Sequence, residues 1–172
     1  MNIRLATAGD AALLARIAEE TFPLACPPDT SPKAIRAFID ANLSEHSFAG
    51  YLADANRVLH LAFVDDEPAG YTMIVRGEPS DADVAAAVTT RPTTELSKVY
   101  VRPGFHGAGV AQALVEAAVG AAGSPSVWLG VNIHNAKANR FYEKMGFAQV
   151  GTKQFLVGDR YEDDYVRERK TQ

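Results

Sequence analysis

The spacing of apolar residues changes period several times along the chain, and each change marks an element. Residues 95–101 are rich in β-formers (Val99, Tyr100, Val101) and end at Pro103-Gly104, which predicts a strand. From Ala111 the spacing becomes helical. Ala111, Leu114, Val115, Ala118, Val119 and Ala122 share one face, and Gly123-Ser124-Pro125 stops the run. Residues 126–133, carrying Val127, Trp128, Leu129 and Val131, read as a second strand. Asn135 then caps another helix. Its apolar stripe is Ala138, Phe141 and Met145, with a polar stripe of Asn135, Asn139 and Tyr142 beside it, while Lys137, Arg140 and Lys144 face water.

The rest of the chain follows the same logic. Ile3-Arg4-Leu5 is a short strand, and Thr7 and Asp10 are caps for a helix to residue 21 with Leu13, Leu14, Ile17 and Ala18 inward. Pro23, Pro27, Pro28 and Pro32 break the chain into a loop. Helices follow at 32–43, with Ile35, Phe38, Ile39 and Leu43 on one face, and at 47–55. Strands at 58–64 and 69–76 are joined by Asp65-Asp66-Glu67-Pro68. Residues 77–92 form a polar excursion with one helical turn at 81–88. Two more strands, 148–157 and 161–167, complete the chain, and Lys170-Thr171-Gln172 should be loose. Between Gly158 and Tyr165 lie Asp159, Glu162, Asp163 and Asp164. Such a run is ordinarily a solvated turn, and the functional alternative is a rim that attracts an amine.

Composition narrows the class. The 172 residues are 47% hydrophobic and 22% charged, which suits one soluble domain spanning 1–172. No apolar run reaches the roughly 18 residues of a membrane span, so no membrane partner and a cytoplasmic location are expected. A net charge of −4 argues against a nucleic-acid surface. A lone cysteine, Cys26, rules out an internal disulfide, and its loop offers no basic group to activate the thiol. Monomer and homodimer both stay open.

The candidate chemistry begins at His106-Gly107-Ala108-Gly109-Val110-Ala111, a nearly bare turn between strand and helix. The first amides of a helix lack internal partners, and glycines let a ligand approach the backbone, so a phosphate is the natural guest. The bland alternative is a tight turn without a ligand. Two better-known phosphate motifs fail: Val110 stands where a Walker A lysine belongs, and Gln112 stands where a dinucleotide fingerprint needs its third glycine. Asn139 inside a helix carries a propensity cost that some interaction should offset. No residue set suggests a metal.

At this point the sequence resembles the GNAT N-acetyltransferase superfamily. The turn is similar to its R/Q-x-x-G-x-G/A motif. Residues 135–147 (NAKANRFYEKMGF) are similar to its N-x-x-A-x-x-F/Y-Y-x-x-x-G-F helix. The wording Phe105-His106-Gly107 and Trp128-Leu129-Gly130-Val131 is similar to bacterial polyamine acetyltransferases. The resemblance implies an α/β (α+β) fold, a mixed, mostly antiparallel sheet of six to seven strands with about four flanking helices. It also implies acetyl-CoA as cosubstrate, held by Val99, Tyr100, Val101, His106, Gly107, Ala108, Gly109, Val110, Ala111, Asn132, Asn135 and Asn139, with Tyr142 and Glu95 catalytic. A lid over the acceptor would then carry Phe22, Cys26, Asp29 and Phe38, although packing on the sheet explains Phe38 as simply. His106 in place of Gln or Arg, and Ala108 in place of a frequent Lys or Arg, leave phosphate binding to backbone amides.

The implied reaction is direct attack of a primary amine, from a small polyamine-like molecule or a peptide N-terminus, on the thioester. An alkylamine of pKa about 10.4 must first lose its proton, which costs about 4.6 kcal/mol at pH 7. Glu95 is the candidate base, and its bland reading is a surface carboxylate on a strand. Tyr142 is placed to donate to the leaving sulfur, a thiol of pKa about 8.5. A histidine base is the competing idea, but His106 in the phosphate turn and His134 before the N-cap read as structural, and His46 and His60 have no supporting context. The rival classes are a non-catalytic CoA-binding regulatory module of the same fold and an unrelated nucleotide-binding α/β protein.

Overall fold

The computed structural model describes residues 1–157 and 159–171. Its strands are β1 (Asn2–Leu5), β2 (Arg57–Val64), β3 (Glu67–Arg76), β4 (Thr93–Val101), β5 (Ser126–Asn132), β6 (Ala148–Val157) and β7 (Arg160–Lys170). They form one sheet in the order β1-β2-β3-β4-β5-β7-β6, in which every pairing is antiparallel except β4 with β5. The helices are α1 (Ala11–Ala25), α2 (Pro32–Asn42), α3 (Glu45–Ala53), α4 (Ala82–Ala87), α5 (Val110–Ala121) and α6 (Ala136–Lys144). The expected mixed, mostly antiparallel architecture is what the chain adopts, with the full seven strands.

Sheet alternation divides the core into two sides. On one face Leu14, Ile17 and Phe22 of α1, Ile39 of α2 and Phe48 of α3 pack on Leu59, Leu61, Tyr71 and Met73. The same face of β5 and β7 is covered by α4, whose Val84 meets Trp128 and Val166. On the opposite face α5 and α6 bury Val115, Val119, Ala138 and Phe141 against Ile74, Leu96, Val127, Leu129 and Val131.

Several local features depart from the sequence pattern. Helix α1 runs through Pro23 to Ala25, beyond the expected stop at 21. A proline near a helix's last turn removes one hydrogen bond, and here the freed carbonyl belongs to exposed Glu19, so water can serve it. The β2–β3 turn is tighter than expected, with Asp65 and Asp66 both at positive φ (50° and 65°), as a two-residue hairpin turn requires. The 77–92 excursion is anchored: Glu168 accepts from the Thr89 and Thr90 amides, and Ser126 Oγ donates to the Thr90 carbonyl at 2.8 Å. Lys170 and Thr171 are not loose. Lys170 pairs with Ser126, and Thr171 donates from its amide to Pro125 and from its hydroxyl to Ser124. Gly158 and Gln172, named in the expected acidic turn and loose end, lie outside the described residues. Among the described residues no helix is long and apolar enough to cross a membrane.

Candidate active site

The site begins where two parallel strands part. Strands β4 and β5 pair only at Thr93–Ser126, Thr94–Val127 and Glu95–Trp128. Beyond Glu95, β4 pairs with β3 alone and β5 with β7 alone. A cavity of about 410 Å3 fills the wedge between them.

The register fixes what β4 offers along its open edge. The Arg102 amide donates to Ala69 at 2.8 Å, so Tyr100 and Lys98, two and four residues back, also point their backbone groups at β3. Val99 and Val101 therefore turn theirs toward the wedge. One of those groups is already used: His106 Nε2 bonds the Val101 carbonyl at 2.8 Å. His106 thus ties the glycine turn to the strand edge.

A bulge sets which side chains share a face. Met73 pairs with Lys98 and Ile74 with Leu96, leaving Ser97 as the extra residue. Strict alternation would group Glu95 with Ser97 and Val99. The bulge instead puts Leu96 and Val99 with α5 and α6, while Tyr100 faces the α1–α3 side. Glu95, Lys98 and Tyr100 then line the wedge from that side, with Lys153, Glu162 and Asp164 arriving from β6 and β7. Gly130 makes room for this. A Cβ there would lie 2.7 Å from Lys153 Cε and 3.3 Å from Asp164 Oδ2, so the lysine stem passes directly over the bare strand.

The charges in the wedge perturb one another. Burial raises the Glu95 carboxyl against the opposing pull of Lys153, Lys98 and Arg57. Burial likewise lowers the Lys98 ammonium. Asp164 is pushed up to about 6, chiefly by burial, with Lys153 Nζ 3.9 Å from its Oδ2. Sequence reasoning placed Asp164 in a solvated acidic turn, and that is a correction: β7 already begins at Arg160, and Asp164 is only 7% exposed. No sequence signal distinguished it from its acidic neighbours, because the pairing with β6 decides which of them faces inward.

Such a carboxylate should cost stability. Its folded pKa lies above the unfolded value of about 3.8, so the native state holds the proton more tightly, and stability falls as pH rises from about 4 to 6. Asp164→Asn is expected to be more stable than the parent at pH 7 by about 1–3 kcal/mol, with the difference vanishing below pH 4. Denaturant titrations at the two pH values measure it, and a variant less stable at pH 7 would contradict it.

On the other side of the wedge, Tyr142 of α6 meets Phe141 and Phe147 edge-on with centroids 5.2 and 6.0 Å away. Its ring lines the cavity together with Asn132, Asn135 and Ala138, and burial pushes its hydroxyl up to about 12. Asn135 caps α6, its Oδ1 accepting from the Ala138 amide at 3.1 Å. Asn132 Oδ1 accepts from His134 N at 2.9 Å.

The structure does not bring Asn139 to the cavity. Its Nδ2 donates to the Asn132 and Asn135 carbonyls at 3.0 Å each, and its Oδ1 accepts from Arg167 Nε at 3.0 Å, while Arg167 also reaches the Phe147 carbonyl. These bonds join the end of β5 to α6 and β7, and they offset the helical cost. Asn139→Ala should lower stability by about 1–3 kcal/mol, because it strands a buried guanidinium N–H, whereas the Asn132 and Asn135 carbonyls keep their bonds from the Asn135 and Asn139 amides. A midpoint of chemical unfolding within error of the parent would refute that role.

At the end of the wedge, Gly107 and Gly109 have φ of 82° and 78°, and a Cβ on either would meet nothing within 4 Å. Helix α5 starts at Val110, and its first internal bond comes from the Ala113 amide to Gly109. The amides of Val110, Ala111 and Gln112 thus precede the internal ladder. Ala108 is exposed, whereas the Val110 side chain is buried under β2–β4, which leaves only its backbone for a ligand.

The lid residues divide. Phe22 and Phe38 stack at 4.5 Å, and both line the wedge with Cys26, whose thiol burial raises away from reactivity. Asp29 lies at the rim, paired with Arg160 at 2.8 Å. Among the described residues no cluster of three or more His, Cys, Asp or Glu is placed to hold a metal.

Comparison with known proteins gives consistent results. The model of the acetyltransferase (GNAT) family matches residues 14–147. An uncharacterised N-acetyltransferase of Mycobacterium tuberculosis is 46% identical over 164 residues, covering 94% of this chain and 97% of that protein. One from Lactobacillus delbrueckii subsp. lactis is 30% identical over 154 residues, covering 87% and 86%. Among solved structures, the PaiA N-acetyltransferase of Thermoplasma acidophilum, in complex with coenzyme A, superposes with a TM-score of 0.75 at 19% identity, covering 99% of both chains. The ribosomal-protein-S18-alanine N-acetyltransferase of Escherichia coli gives 0.70 at 18%, covering 99% of this chain and 93% of that one.

Proposed function

Because the chain belongs to the GNAT acetyltransferase family, we propose that it transfers an acetyl group from acetyl-CoA to a primary amine, held together with the cosubstrate in the wedge. The acceptor is a small molecule of polyamine-like size or the N-terminus of a peptide. The observation that carries this reading is the parting of β4 and β5, which leaves an unpaired strand edge between Glu95 and Tyr142.

The residues present fit the cosubstrate. The Val99 amide and carbonyl and the Val101 amide match the amide-bearing arm, as an added strand would. The open space over Gly107 and Gly109, and the three α5 amides ahead of the ladder, match a pyrophosphate. The neighbouring PaiA structure holds coenzyme A on the same fold.

Acetyl-CoA supplies the thioester: the amine nitrogen bonds to the acetyl carbon, the C–S bond breaks, and the products are an N-acetyl amine, the free thiol and one proton. Glu95 takes the proton that makes the amine nucleophilic. Its raised affinity for protons suits that task at neutral pH. Tyr142, protonated throughout the working range, donates a hydrogen bond to the departing sulfur.

The test is thiol release from acetyl-CoA with purified protein across spermidine, simple amines, amino acids and N-terminal peptides. Release with at least one acceptor is expected. Saturable acetyl-CoA binding with no release for any acceptor would favour the regulatory-module alternative instead.

A further inference from the structure

The wedge carries charges of both signs, and this bears on the acceptor. Across its α1–α3 side, Lys98, Glu95, Lys153 and Asp164 alternate in sign along their electrostatic neighbours, and Glu162 adds a second negative charge beside Asp164. Lys153 leans on Asp164. Lys98 is different. It is half-buried, its backbone carbonyl is pinned by Thr72 Oγ1 at 2.7 Å, and its ammonium makes no hydrogen bond or ion pair among the described residues. Glu95 attracts this ammonium through space without forming an ion pair with it, and a partly buried cation with no anion in contact is a costly arrangement unless a ligand brings one.

We propose that Lys98 receives a carboxylate of the acceptor, so that the amine acetylated here is zwitterionic, with Glu95 and Asp164 facing its ammonium. The inference rests on the acetyltransferase reading and narrows its acceptor. A polyamine would carry a second ammonium toward Lys98 or Lys153, a like-charge approach in a partly dehydrated cleft. A zwitterion meets both signs with opposite charge. The stacked Phe22 and Phe38 offer an apolar surface for its body. At about 410 Å3 the cavity must also admit the acetyl end of the cosubstrate, which leaves room for a molecule of amino-acid size.

The test uses the full chain, acetyl-CoA and two matched acceptor series: phenylalanine, phenylalaninamide and phenethylamine, then leucine, leucinamide and isopentylamine. Efficiencies are compared as pH-independent kcat/KM. A hydrogen-bonded charge pair predicts that the carboxylate form is favoured by about ten- to a hundred-fold over the other two in at least one series. Lys98→Met should bring that preference to within about threefold, through the acceptor KM, while Lys98→Arg should retain it. Equal or better use of the uncharged-end acceptors or of spermidine by the parent protein overturns the inference and leaves the transferase standing. So does a Lys98→Met protein that keeps the preference. No thiol release with any acceptor overturns the transferase reading and this one with it.

Discussion

Tyr142→Phe is expected to lower kcat by about 10²- to 10³-fold while coenzyme A affinity changes by less than about threefold. The hydroxyl makes no hydrogen bond to the protein among the described residues, so its removal leaves the ring packed between Phe141 and Phe147 and the fold intact. The size of the effect follows from the proton affinities. With the phenol at about 12 and a thiol at about 8.5, complete proton transfer to the thiolate runs uphill by more than three units, or about 5 kcal/mol. In the proposed reaction Tyr142 therefore serves as a hydrogen-bond donor to developing negative charge, an effect ordinarily worth the loss of one oxyanion donor rather than of a full general acid. Single-turnover kinetics with saturating acetyl-CoA measure it. A variant with parental kcat at every pH would remove Tyr142 from the reaction.

Glu95→Gln is expected to lower kcat/KM at pH 7 by about 10²- to 10⁴-fold. The substitution keeps the shape at the vertex of the wedge and deletes the proposed proton acceptor. The deficit has a pH signature. As pH approaches the acceptor's own pKa, free amine replaces what the carboxylate supplied, so the gap should close by about tenfold per unit between pH 7 and 9. A structural or purely electrostatic role would leave a constant gap, and a full pH profile of both proteins separates the two.

Much of this fold was legible in the sequence because its signals are local. The α5 and α6 periodicities, the glycines at positive φ and the Asn135 cap all act within a turn or two, and the structure places them where the pattern puts them. The remaining features depend on partners far along the chain. The bulge at Ser97 is decided by pairing with β3, and it alone turns Lys98 onto the face of Glu95. The inward turn of Asp164 is decided by β6, and the passage of Lys153 by the bareness of Gly130. Asn139 shares a stripe with Tyr142, and the pattern therefore groups it with the ligand-binding residues. Arg167, the group that claims its carbonyl oxygen, lies 28 residues away and carries no local mark.

These features meet in one claim, that a strand edge left open by β5 and the first amides of α5 together hold coenzyme A. Calorimetric titration of coenzyme A into the purified protein tests it most directly. Saturable binding of one equivalent is the expected result. Absence of heat at millimolar ligand, in a protein that melts cooperatively, would contradict it.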